Sequence, residues 1–286
     1  MDIRDLSPEE FPPLLHEIND PPKQLRLEGE LPIIGNKLLA IVGSRKYSAY
    51  GREVCESLIM SLAGYPITIV SGLALGIDSI AHRAALRAGL QTIGVPGSGL
   101  GRSALHPQAH VELANEIVES GGGLISEYKD DFKSTLWSFP QRNRIMAGMS
   151  DAVIVIEAER KSGTLITSRL ATEYNREVGA VPGPITSPTS DGPHMLIRLG
   201  ASLIRDRDDI LELLGLKNKD EDKTLFDTSD LTDEEKVFIV LLETPIPRDE
   251  LVRKSKIDIS KANAILSLLE IKGLIVEELG EVRKTF

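Results

Sequence analysis

Between residues 38 and 214, short apolar runs alternate with longer stretches whose apolar positions recur every three or four residues. The runs at 38–42, 67–71, 91–95, 123–126, 152–156, 179–181 and 202–204 predict strands. The periodic stretches at 51–62, 77–88, 111–120, 141–147, 165–174 and 195–199 predict helices. The strands are apolar on both faces, and helices separate them. That combination predicts an α/β domain with a mostly parallel sheet flanked by helices on both sides. The pattern stops near residue 215. Residues 216–230 are polar and carry the charged run Lys217 to Lys223, which reads as a linker. Residues 231–286 repeat the helical spacing on a smaller scale and end in a strand. Residues 1–36, with Pro12-Pro13 and Pro21-Pro22, predict a short helix and an extended arm ahead of the 37–215 domain.

Chemistry concentrates where predicted strands end. Leu39-Ala40-Ile41-Val42 runs into Gly43-Ser44-Arg45, and Ile67-Thr68-Ile69-Val70 runs into Ser71-Gly72-Leu73-Ala74-Leu75-Gly76, each followed by a helix. Small residues at such turns let backbone N–H groups approach an anion, and the helix N-terminus adds partial positive charge. Arg45 supplies a full cation. The third strand leads into Pro96-Gly97-Ser98-Gly99-Leu100-Gly101-Arg102. A later helix start carries Arg142, Asn143 and Arg144, where the helix dipole disfavours cations unless an anion or ion-pair partner is present. A fourth turn carries Lys161, Ser162, Gly163 and Thr164. Four turns at one edge of one sheet predict a phosphate-binding crevice.

Charge narrows the partners. The chain of 286 residues has net charge −10, which excludes coating of nucleic acid through bulk positive charge; any such binding is confined to a local basic groove. No apolar run is long enough for a membrane span, and the first residues lack a signal peptide's pattern, so the expected location is cytoplasmic. Cys55 is the single cysteine, which rules out an intrachain disulfide, and no metal or other cofactor is expected. In residues 216–286, 12 Lys and Arg face 16 Asp and Glu, which predicts a protein contact rather than a major-groove reader.

Val42-Gly43-Ser44-Arg45, Ser71-Gly72-Leu73-Ala74-Leu75-Gly76-Ile77-Asp78 and Phe139-Pro140-Gln141-Arg142-Asn143-Arg144-Ile145 together resemble the DNA-processing protein A family, as does Glu157-Ala158 through Ser162-Gly163-Thr164. The 231–286 segment is similar to the winged-helix domain that many members carry. The resemblance implies an extended Rossmann-like core that binds single-stranded DNA in natural transformation, protects it and helps load the RecA recombinase. It also implies a homodimer and no catalytic reaction. Carried over by position, the strand-binding residues are Gly43, Ser44, Arg45, Ser71, Gly72, Ala74, Gly76, Arg142, Asn143 and Arg144, extended to Lys161, Ser162, Gly163 and Thr164. Gln108 stands where members commonly have a basic residue, and Arg102 is the candidate to replace it.

A different class competes. Ser162-Gly163-Thr164 with Glu173 resembles part of the signature of nucleotide phosphoribohydrolases, in which Glu157 and Glu173 would serve ribosyl chemistry in a nucleotide-binding enzyme or sensor. The doubled glycine of that signature is absent.

Overall fold

The computed structural model describes residues 2–217, 231–242, 244–278 and 280–285. The chain forms two compact units, Met1–Lys217 and Asn218–Phe286.

The first unit is built on a nine-stranded sheet. Its strands are β1 (Arg4–Leu6), β2 (Leu25–Gly29), β3 (Lys37–Val42), β4 (Ile67–Ser71), β5 (Thr92–Gly94), β6 (Gly123–Ser126), β7 (Ala152–Val155), β8 (Glu177–Ala180) and β9 (Ser202–Leu203). They lie in the order β1-β2-β6-β5-β4-β3-β7-β8-β9. The seven strands from β6 to β9 in that order are mutually parallel, as the unbroken apolar runs predict. Between them run α1 (Ala49–Ser61), α2 (Ile77–Arg87), α3 (Val111–Glu119), α4 (Ser138–Met149), α5 (Thr164–Glu173), α6 (Asp191–Arg198) and α7 (Arg207–Leu213).

Both faces of the sheet are covered. On one, Cys55, Leu58, Ile59 and Leu62 of α1 and its end pack with Ile77, Ile80, Ala81 and Ala84 of α2 over Leu39, Ile41, Ile67 and Ile69. On the other, Ile145, Met146 and Met149 of α4 and Ala171 of α5 pack over Ala40, Val42, Val153 and Val155. Alternate residues of one strand thus serve opposite cores. Cys55 is fully buried, and burial pushes its thiol pKa upward, so it packs as an apolar side chain.

The amino-terminal segment, predicted as a short helix and an extended arm, joins the sheet. β1 pairs antiparallel with β2, and β2 pairs antiparallel with β6, which extends the sheet by two strands. Phe11, Leu15 and Ile18, carried on short 3₁₀ turns and their flanks, are buried in the core beneath α4. β1 is too short to show alternation, whereas Leu25-Arg26-Leu27-Glu28 of β2 does alternate apolar and polar residues, a strand signal the reading of the sequence passed over. α4 begins at Ser138 rather than near 141, because Pro140 falls in the first turn, where its missing N–H costs nothing.

The second unit holds α8 (Asp233–Leu241), β10 (Ile246–Pro247), α9 (Arg248–Ser255), α10 (Ile259–Ile271), β11 (Ile275–Glu278) and β12 (Glu281–Lys284), with a three-stranded antiparallel sheet ordered β10-β12-β11. A capping box between Thr232 and Glu235 starts α8, and Asp258 caps α10. Phe238, Leu251, Leu266, Leu269 and Val282 form its core. This is a winged helix whose wing, β11 and β12, has one more strand than the sequence pattern showed. From Asn218 to Asp230 the predicted linker lies outside the described residues.

Candidate functional site

β3 lies at the topological switch point of the sheet. Its successors β4, β5 and β6 are laid down on one side and β7, β8 and β9 on the other. The loops leaving β3 and β7 therefore part in opposite directions and open a crevice at the strands' carboxyl ends, where α/β sheets bind ligands. A cleft of about 510 Å³ lies there, and Gly43, Ser44, Arg45, Ala74, Arg142, Asn143, Lys161, Ser162, Gly163 and Thr164 all line it. Ten of the fourteen sequence-predicted residues are thus brought together. A recess of about 90 Å³ adjoins it, lined by Arg45, Gly72, Ala74, Leu75, His106, Pro107 and Phe139.

The cleft is built by close backbone approach. A Cβ on Gly43 would stand 2.6 Å from the Ile77 side chain, so glycine lets the β3 loop seat against the start of α2. Gly76 has φ +90°, and a Cβ there would meet the Ser44 carbonyl at 2.3 Å. It shapes the turn from outside the cleft wall. The Thr164 hydroxyl donates to the Gly43 carbonyl at 3.1 Å and ties the first turn of α5 to the β3 loop. Ser162 Oγ accepts from Thr164 N–H at 3.2 Å and holds that turn. The N-terminus of α5 consequently opens on the cleft, its partial positive charge beside Lys161.

Four cations, Arg45, Lys46, Arg142 and Lys161, line the cleft against two carboxylates, Asp78 and Glu159. Arg45, Lys46 and Lys161 are exposed and form no ion pair among the described residues. Arg45 is steadied by the Phe139 ring, with Cζ 5.1 Å from the centroid. Lys46 and Glu159 were not singled out in the sequence, and Asp78 was read only as the end of a family motif; Lys46 directly follows Arg45, and Asp78 lies in the first turn of α2.

Arg142 plays another part. It is 4% exposed and donates from Nη1 to the carbonyls of Gly72, at 2.6 Å, and Val95. Burial lowers its pKa to about 10, which leaves it charged at neutral pH. Gly72 is glycine on its account, since a Cβ would stand 2.4 Å from Arg142 Nη1. Asp78 accepts from Gly72 N–H at 3.2 Å; burial raises its pKa, and the Arg142 charge opposes that rise. Arg142, Gly72 and Asp78 are the rigid back wall of the cleft.

Two predicted residues turn away. Ser71 is fully buried and donates to the Ile41 carbonyl at 2.7 Å, joining β4 to β3. Arg144 lies on the opposite side of α4 from Arg142. It pairs with Glu127 at 2.5 Å and donates to the Asp20 carbonyl at 2.7 Å, fastening the amino-terminal segment. Arg102 does not stand in for the basic residue missing at Gln108: its guanidinium holds both oxygens of buried Glu28 at 2.8 Å. Gln108 itself donates to the carbonyls of Arg102 and Leu105.

The carboxylates of the competing enzyme reading are also engaged elsewhere. Glu157 is 3% exposed and accepts from Ser48 N–H, Ser48 Oγ and Thr189 Oγ1 at 2.6–2.9 Å. Glu173 is at the far end of α5, paired with Arg169. Neither reaches the cleft. Among the described residues of the C-terminal unit several cations are also paired, Arg248 with Glu270 and Glu277, Lys261 with Glu234 and Lys272 with Glu235.

Fold and site together define a Rossmann-like α/β protein with an anion-receptive cleft at its switch point and a winged-helix unit after it. The family model for DNA recombination-mediator protein A matches residues 3–215, and that of the DprA winged helix domain matches residues 227–281. The chain is 46% identical over 204 residues to protein Smf of Escherichia coli K12, covering 71% of this chain and 54% of that protein. It is 38% identical over 214 residues to the DNA processing protein DprA of Bacillus subtilis, covering 74% and 71%. Among solved structures, DNA processing protein A of Streptococcus pneumoniae matches with a TM-score of 0.69 at 39% identity over 74% of each chain. DNA processing protein A of Helicobacter pylori, solved for its single-stranded DNA binding mode, matches with a TM-score of 0.67 at 30% identity, over 75% of this chain and 96% of that one. This chain belongs to the DNA recombination-mediator protein A family. It spans about half the length of the E. coli relative.

Proposed function

We propose that the cleft binds the backbone of single-stranded DNA without regard to sequence. The observation that carries this reading is the placement of Arg45, Lys46 and Lys161 at the switch point, exposed and without ion-pair partners among the described residues, beside the N-terminus of α5. Phosphate contacts of this kind position a strand and carry no base information. Family membership and the H. pylori neighbour named for its single-stranded DNA binding support the choice of strand over other anions. The family resemblance extends the proposal: the bound strand is protected during transformation and passed to the RecA recombinase, and a homodimer places two clefts on one strand and raises avidity. On this reading Gly43, Ser44, Ala74, Asn143, Ser162, Gly163 and Thr164 form the backbone-receptive wall. Arg144 and Ser71 are support.

The test is fluorescence anisotropy of a labelled thymine oligonucleotide at low and moderate salt, with duplex DNA and thymidine monophosphate as competitors. Binding should weaken with salt at a logarithmic slope of about −2, the release expected for three phosphates on a single strand. Both competitors should displace the oligonucleotide poorly. An oligonucleotide that does not bind, with a mononucleotide that raises the melting temperature, would transfer the cleft to a small ligand.

A further inference from the structure

We propose that Trp137 is a base-stacking platform at the rim of the cleft, which carries the bound strand beyond Phe139 onto the shoulder where α4 begins. The inference rests on the single-strand reading above and deepens it. Trp137 is the single tryptophan of a chain with few aromatics, yet its side chain is not in either core: it stands 56% exposed, beside Leu136 at 91%. A large ring left in water in a chain poor in aromatics has a cost that a ligand would recover.

The ring is held in place. Tyr128 and Phe132 stack on each other at 4.3 Å and 14°, and Trp137 packs against this pair, 6.1 Å from Tyr128 and 5.7 Å from Phe132. It meets them at 72° and 58°, so neither ring lies parallel to the indole as a stacking partner. The backbone beneath is pinned by Ser138, whose hydroxyl is buried and donates to the Gly97 carbonyl at 2.6 Å while accepting from Thr135 N–H at 3.0 Å. A platform fixed before binding loses little freedom when a base arrives.

Its position continues the cleft. Trp137 is the residue before the first turn of α4, and the first two turns place Phe139, Pro140, Arg142 and Asn143 on the cleft. Phe139 lies under Arg45 and against His106, at 5.1 and 5.6 Å. Trp137 precedes Phe139, which lines the cleft, by two residues, and on this proposal the strand runs on from the cleft cations past Phe139 to the indole. The occupant is a nucleobase, because the platform continues a phosphate-binding groove and a base is the planar group that accompanies each phosphate.

Because Trp137 is the chain's single tryptophan, its emission reports this spot directly. The experiment titrates the full chain with thymine oligonucleotides, reading intrinsic emission and, separately, the anisotropy of a labelled strand. Saturating oligonucleotide should quench the emission, and the quenching curve should follow the anisotropy curve. W137A should weaken binding about tenfold and W137F by less than about threefold. Stacking releases no counterion, so both variants should keep the wild-type salt slope. Wild-type anisotropy binding with unchanged emission would overturn the platform and leave the single-strand reading intact. W137A that binds the strand like wild type but changes the molecular mass in solution would assign the patch to a protein contact and overturn it as well. Failure of the oligonucleotide to bind at all would remove both readings together.

Discussion

Arg45 and Arg144 look alike in the sequence, each an arginine in a motif at a strand or helix end, and the structure separates them sharply enough for one paired experiment. Arg45 is exposed and its described partner is the face of Phe139 at 5.1 Å, an arrangement that contributes about 0.5–1 kcal/mol at an exposed site. Arg45→Ala should therefore move the melting of the core unit by no more than about 4 °C. On the strand it removes one counterion release: the logarithmic salt slope should shrink by about 0.7, and affinity at moderate salt should fall about fivefold for every sequence. Arg144→Ala should do the reverse. Its side chain and that of Glu127 are each 10% exposed, and truncation strands the Glu127 carboxylate. Breaking such a buried pair costs about 3 kcal/mol, or roughly 6–12 °C for a unit of this size. The pH dependence has a definite sign. Burial already raises the Glu127 pKa, and loss of Arg144 raises it further, so the native variant takes up its proton at a higher pH than the unfolded chain does. The deficit should be largest at neutral pH and shrink as pH falls towards the ordinary carboxylate range. Differential scanning fluorimetry and anisotropy titrations on the same two proteins read both quantities. A flattened salt slope in Arg144→Ala with an intact melting temperature, or an unchanged slope in Arg45→Ala, would refute the assignment.

Two further outcomes are expected. Gly76→Ala combines a backbone φ of +90° with a Cβ 2.3 Å from the Ser44 carbonyl, so it should lower core stability by about 3 kcal/mol and loosen the β3 loop; circular dichroism melts and the oligonucleotide titration check both effects. His82 is fully buried against Thr92 at 2.7 Å, and burial lowers its pKa to about 3. The unfolded chain binds that proton first, so stability should be lost as pH falls below about 6.5, by up to about 1.4 kcal/mol per pH unit. His82→Asn should flatten this limb in urea titrations at pH 7 and pH 5, and an equally steep limb in the variant would assign the acid sensitivity elsewhere.

The parallel strands were legible because burial on both faces leaves nearly unbroken apolar runs; β4 and β6 coincide with the predicted 67–71 and 123–126. β1 was not, because it is three residues long with two exposed; β2 was passed over although Leu25 and Leu27 alternate with Arg26 and Glu28, and α7 was missed as a short helix. The cleft was legible through its turns, since small residues at strand ends are required wherever backbones meet. The direction of each side chain was less so. Arg142 and Arg144 sit two positions apart on one helix, about 200° around its axis, and so face opposite sides. That spacing was readable, although which side carried the cleft was not. Gly72 shows the converse: the turn was found, but its glycine makes room for Arg142 and not for a phosphate.

The net charge of −10 acquires a kinetic meaning once the cleft's cations are placed. A polyanion meets a repulsive average field at long range and an attractive one when it reaches the crevice, so encounter selects by shape before any contact forms. On the proposed reading, a stiff duplex, whose phosphates are spread over a wide cylinder, would gain less from a cleft of about 510 Å³. On the same reading, a flexible single strand would thread its phosphates past Arg45, Lys46 and Lys161 one after another. Raising salt would then erode discrimination along with affinity, because it screens the repulsion that turns wrong partners away.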